Sequence, residues 1–99
     1  MIRQGDVLLV PVASIPRGEA IPLEGGQIVL AHGEATGHVH SIKSRRARFT
    51  LAKGRRFLMI SEPAKLEHQE HDAIDIPPGK YEVIRQKEYA PQAIRNVAD

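Results

Sequence analysis

"ARFTLAKGRRFLMIS", residues 47–61, decides the fold. Ala47, Phe49 and Leu51 alternate with Arg48 and Thr50, the period that sends successive side chains to opposite faces of a strand. Lys53-Gly54 is a two-residue turn, and "RRFLMIS" reads as the returning strand, so the stretch predicts a β-hairpin. Working outward, "HVHSI" (38–42), "QIVLAH" (27–32) and "DVLLVPV" (6–12) read as strands upstream, with Pro11 marking the last as an edge strand or a bulge. "ASIPRGEAIPLEGG" (13–26) is loop-like and ends on a Gly25-Gly26 turn. Downstream, "AIDI" (73–76) and "KYEVIRQ" (80–86) are strands joined by Pro77-Pro78-Gly79, read as a type II turn with Gly79 at positive φ. "AKLEHQEH" (64–71) holds helix-favouring residues that Ser61 or Glu62 begins, yet its shortness leaves strand or loop open. A helical turn or two is expected from Pro91.

The expected fold is therefore mainly β. It is a single domain over residues 1–99, a small β-barrel or two-sheet sandwich, with at most a short helix near 63–71 and at the C-terminus. An α+β domain with one helix over 63–71 is the runner-up. Ninety-nine residues leave no room for a second core. The absence of cysteine excludes disulfides, thiolate zinc sites and a cysteine nucleophile. No apolar run approaches the ~20 residues of a membrane helix, which points to a cytoplasmic protein with no membrane partner. Four aromatic residues, two Tyr and two Phe, are too few for a base-stacking platform.

Charge is unevenly distributed. Lys43, Arg45, Arg46, Arg48, Lys53, Arg55 and Arg56 hold half of the 14 basic residues, and Glu62, Glu67, Glu70, Asp72 and Asp75 follow as an acidic span. The basic hairpin motivates a nucleic-acid or acidic-partner binding module as one functional class. A structural or assembly subunit is another, with "VLLVPV" pairing between chains; a homodimer is expected.

The histidines carry the chemistry. Four of the five fall into two chelating pairs, His38-x-His40 and His68-x-x-His71, while His32 stands alone. On a strand, residues two apart share a face with Cα atoms ~6.5–7 Å apart, so two imidazoles converge on one ion at ~2.0–2.1 Å each. Histidines three apart share one face of a helix, and on a loop they close on an ion equally well. His38, His40, His68 and His71 are therefore the expected ligands of a divalent transition metal. Nitrogen and oxygen donors admit Zn, Fe, Mn, Ni and Cu alike. Glu34 and Glu70 are the candidate catalytic groups, placed to move protons in a metal-dependent reaction on a small-molecule substrate. Gly33 and Gly37 flank a turn that delivers His38; "HGEATG" (32–37) matches no phosphate-binding loop.

With H-x-H on a strand and Pro-x-Gly later, residues 33–84 resemble the cupin superfamily, small β-barrels that hold a metal, usually through three histidines and a glutamate. The resemblance puts Gly33 at the motif glycine, one position too close to the pair. His38 and His40 take the place of the strand histidines, and Pro77 and Gly79 that of the second motif's turn. Ser44 and Arg45 stand where the family's glutamate is expected, and Glu82 where its final histidine is, so further ligands have to come from His68 and His71. The layout is also similar to short uncharacterised bacterial proteins with G-H-x-H, H-x-x-H and P-P-G-x-Y, a likeness that implies no function.

Overall fold

A computed structural model of the chain describes residues 1–33 and 37–86. Its strands are β1 (Ile2–Gln4), β2 (Val7–Pro11), β3 (Glu19–Ala20), β4 (Ile28–His32), β5 (Val39–Ile42), β6 (Ala47–Ala52), β7 (Arg55–Ile60), β8 (Ala64–Glu67), β9 (Ile74–Ile76) and β10 (Gly79–Arg85). They form two antiparallel sheets, in the orders β1-β2-β10-β7-β6-β3 and β4-β5-β8-β9. The fold is mainly β, as expected, and is a pair of sheets, with no closed barrel among the described residues. Nor do those residues include a helix, or one able to cross a membrane.

Cross-strand register explains the core. Residues opposite one another share a face, so Tyr81, Leu58 and Phe49 form one inward row of the larger sheet and Ile2, Leu9 and Val83 belong to the next. The smaller sheet answers with Ile28, Ile42 and Leu66 in register, joined by Leu30 and Ile76. Leu9, Leu30, Ile42, Leu58 and Leu66 are fully buried, each stabilising the fold by about 1.5–3 kcal/mol.

Three local readings are corrected. The 63–71 stretch is not a helix: Ala64–Glu67 is β8, held on both sides by β5 and β9, and a loop carries residues 68–73. Leu66 drops into the core from the strand, and that burial outweighs weak helix propensity. Strand β2 is interior, between β1 and β10. Pro11 is tolerated because Val12 N–H bonds Lys80 O, so the nitrogen of Pro11 faces the other side, past the last β1 pair, Ile2 with Leu9. Gly79 has no positive φ; it pairs with Ile60 as the first residue of β10, because this connection crosses from one sheet to the other and is not a hairpin. Leu51 shares the face of Phe49 but is 44% exposed, since it lies in the row of Arg56, where the core ends. The helix expected from Pro91 lies outside the described residues.

Candidate functional site

At one end of the sandwich the inward positions turn polar. Gln4, Val7 and Arg85 occupy one cross-strand row of the larger sheet, and Arg56 sits in the next. On the smaller sheet His40 stands two residues before Ile42, so the alternation that buries Ile42 buries His40 as well. Gln4 and His40 are only 2% and 4% exposed.

Gln4 fixes His40. Its amide nitrogen donates to the carbonyls of Leu66 at 2.9 Å and Asp72 at 3.0 Å, groups that only accept, so its Oε1 faces His40 Nδ1 at 2.8 Å. Nδ1 therefore carries the ring proton. Burial, reinforced by the His68 and His71 rings and by Arg85 against the opposing pull of Asp6, depresses the His40 pKa to about 4. At neutral pH the imidazole is uncharged, with its lone pair on Nε2. That nitrogen lies 3.4 Å from Asp6 Oδ1. Burial works against ionisation of Asp6, but the Arg85 Nε–H bond to Oδ2 at 2.8 Å and the guanidinium charge outweigh it and hold the carboxyl below its ordinary range. Two acceptors thus face each other, an arrangement stabilised by a cation that both can touch.

The downstream pair arrives on the loop after β8, and the rings meet. His68 lies 4.3 Å from His40, 4.6 Å from His71 and 5.6 Å from His38, centre to centre; His40 and His71 are 5.9 Å apart and stacked. His68 Nδ1 accepts from the backbone N–H groups of Glu70 at 3.0 Å and His71 at 3.3 Å, so the neutral ring presents Nε2–H. Burial lowers its pKa, with the neighbouring rings of His71 and His38 adding to the effect. Gly5 lies beneath the cluster with φ +59°; a Cβ there would stand 2.8 Å from His71 Nε2 and 3.3 Å from His40 Cε1. Imidazoles that share an ion at ~2.0–2.1 Å have ring centres roughly 5 Å apart, the spacing the His40, His68 and His71 rings bracket. As the side chains stand, no group of three or more His, Asp or Glu among the described residues already has its donors arranged to hold an ion.

Of the residues singled out in the sequence, His38, His40, His68 and His71 come together. Glu70 reaches them at the exposed rim, with Oε1 3.7 Å from His38 Nδ1. Glu34 lies outside the described residues. His32 stands apart from these rings, bonded to Glu24 at 2.8 Å across the Gly25-Gly26 turn. Sequence reading missed Gln4, Gly5 and Asp6. The signal was present: Gly-Asp between "IRQ" and "VLLV" is a two-residue hairpin signature, and Gly5 alone of the turn pair has positive φ, as in a type II′ turn. The basic span is partly neutralised by acids: Lys43 pairs with Glu67, Arg46 with Glu62 and Arg55 with Glu82.

A family profile described as Domain of unknown function (DUF8820) matches residues 3–86, and nothing in that match links the chain to the cupin superfamily. No curated protein and no solved structure matches the chain.

Proposed function

The chain belongs to the family described as Domain of unknown function (DUF8820), and we propose that it binds a divalent transition metal through His40, His68 and His71, with His38 and Asp6 beside them. One observation carries the reading: His40 is buried, neutral and locked by Gln4 at Nδ1, and its bare Nε2 stands 3.4 Å from the Asp6 carboxylate, with the His68 and His71 rings 4.3 and 5.9 Å from its own, centre to centre. A metal-ligating imidazole needs this state, with its second nitrogen donating to a fixed acceptor that sets tautomer and orientation. His68 ligates only by giving up the backbone bonds at Nδ1, either because Nδ1 itself takes the ion or because the ring proton moves there to free Nε2, which makes the downstream loop the adjustable half of the site. Bound there, the ion supplies Lewis acidity. Gln4 and Arg85 orient His40 and Asp6, and Glu70, exposed beside His38, is the group positioned to exchange protons with solvent.

Elemental analysis of protein purified without a histidine tag tests this, together with titration of the chelator-treated protein with Co2+ followed by visible absorption. A near-stoichiometric ion and a saturable ligand-field spectrum, both lost in His40→Ala and His71→Ala, are expected. Negligible metal and no saturable spectrum in a folded protein overturn the reading.

A further inference from the structure

Arg55 and Arg56 are neighbours with opposite treatment. Arg55 is exposed and holds Glu82 through two nitrogens at 2.8 and 2.6 Å. Arg56 occupies the inward position on β7, in line with Leu58 and Ile60, and is half-buried. No carboxylate among the described residues lies within ion-pair distance of it; one nitrogen donates to Leu30 O at 2.6 Å, and its carbon sits 5.7 Å from the Phe49 ring centre. A half-buried charge without a counter-charge is costly, and such groups are ordinarily paired. Arg85 lies diagonally opposite on β10, facing the same way, with its own charge committed to Asp6.

Both arginines line a cleft of about 360 Å³ between the sheets, whose lining also includes Ile21, Leu30, Phe49 and the His32–Glu24 pair. That volume and that mixture of apolar wall and a few polar groups suit a small molecule. We propose that this cleft binds a small organic anion, a carboxylate or phosphate on a short apolar body, with its charged group on the open nitrogens of Arg56 and its body against Phe49 and Leu30. A guanidinium fork matches such oxygens in a plane. A polyanion backbone is a poor match, because it needs a row of exposed cations and this one is recessed. Burial and the like charge of Arg85 both disfavour protonated Arg56, strain that an anion in the cleft relieves. The proposal is independent of the histidine cluster.

Titration of the 15N-labelled chain with hexanoate, phenyl phosphate and inorganic phosphate, followed by backbone and arginine Nε–H resonances, tests it. Saturable shifts centred on Arg56, Leu30 and Phe49 are expected, with affinity lowered roughly tenfold or more in Arg56→Gln and less in Arg56→Lys. Arg55→Gln, on the outer face, keeps the affinity. Saturation by hexanoate alone or phenyl phosphate alone identifies which anion the cleft takes, and response to inorganic phosphate alone overturns the apolar-body part. No saturable shift with any of the three, or equal affinity in folded Arg56→Gln or Arg56→Lys, overturns the proposal.

Discussion

Two hairpins of this protein close on two-residue turns at the same end of the larger sheet, and they have different roles. The β6–β7 hairpin is long and pairs six residues on each side, from Ala47 with Ile60 to Ala52 with Arg55. Its turn, Lys53-Gly54, has positive φ at both positions, the type I′ geometry that matches strand twist, and the space around Gly54 is open. The β1–β2 hairpin pairs only three residues, and its turn is packed under two imidazoles. Gln4, Gly5 and Asp6 all touch the histidine cluster or would do so with one added atom. A long hairpin builds the fold through repetition; a short one is where a fold can deliver three different residues to one point.

The largest test of that contrast is Gln4→Ala. It strips the partner from His40 Nδ1–H and from the carbonyls of Leu66 and Asp72, for an expected loss of about 3–4 kcal/mol in urea unfolding and a weakened Co2+ titration. Acid acts next, through the same imidazole. With the folded pKa of His40 near 4 and the unfolded value at 6.5, the unfolded chain takes up a proton that the folded one refuses. Stability of the chelator-treated protein is therefore complete above about pH 6.5 and declines towards pH 4, by at most about 3 kcal/mol. His40→Asn flattens that window; an equally steep decline in the variant assigns the acid sensitivity elsewhere.

Glycine substitution then compares the turns directly. Gly5→Ala meets both a left-handed backbone and the His71 and His40 rings, and is expected to cost about 2–3 kcal/mol with altered His71 resonances. Gly54→Ala meets the backbone penalty alone, about 1 kcal/mol, and leaves the histidine resonances unmoved. Equal losses would erase the distinction between the two turns. The smallest effect is a gain: Lys53 holds φ +55°, so Lys53→Asn creates the favoured Asn-Gly pair and is expected to add about 0.5 kcal/mol in thermal unfolding.

The long strands were legible because alternation and turn chemistry are local. "ARFTLAKGRRFLMIS", "QIVLAH" and "KYEVIRQ" announce themselves within a few residues, and they are β6–β7, β4 and β10. Strand β8 was ambiguous because "AKLE" has no β-propensity of its own; pairing with β5 and β9 on either side decides it. Two-residue β3 carries no pattern at all. In the site, His38-x-His40 and His68-x-x-His71 were visible as spacings, whereas Asp6 sits 34 residues from His40, in a segment that reads as a mere lead-in to a strand.

By itself the sequence determined a mainly β chain, its principal hairpin, and two histidine couples of chelating spacing, since each of these is set by neighbours within one strand or turn. Only the tertiary structure decided that both couples meet, that Gln4 selects the His40 tautomer, that Asp6 and Arg85 stand behind it, and that Arg55 rather than Arg56 has an acid beside it among the described residues. Those facts depend on which strands lie side by side and which sheet faces which. That is settled by burying the apolar rows of two sheets together, an interaction strong in sum but without direction and therefore unreadable from any short stretch.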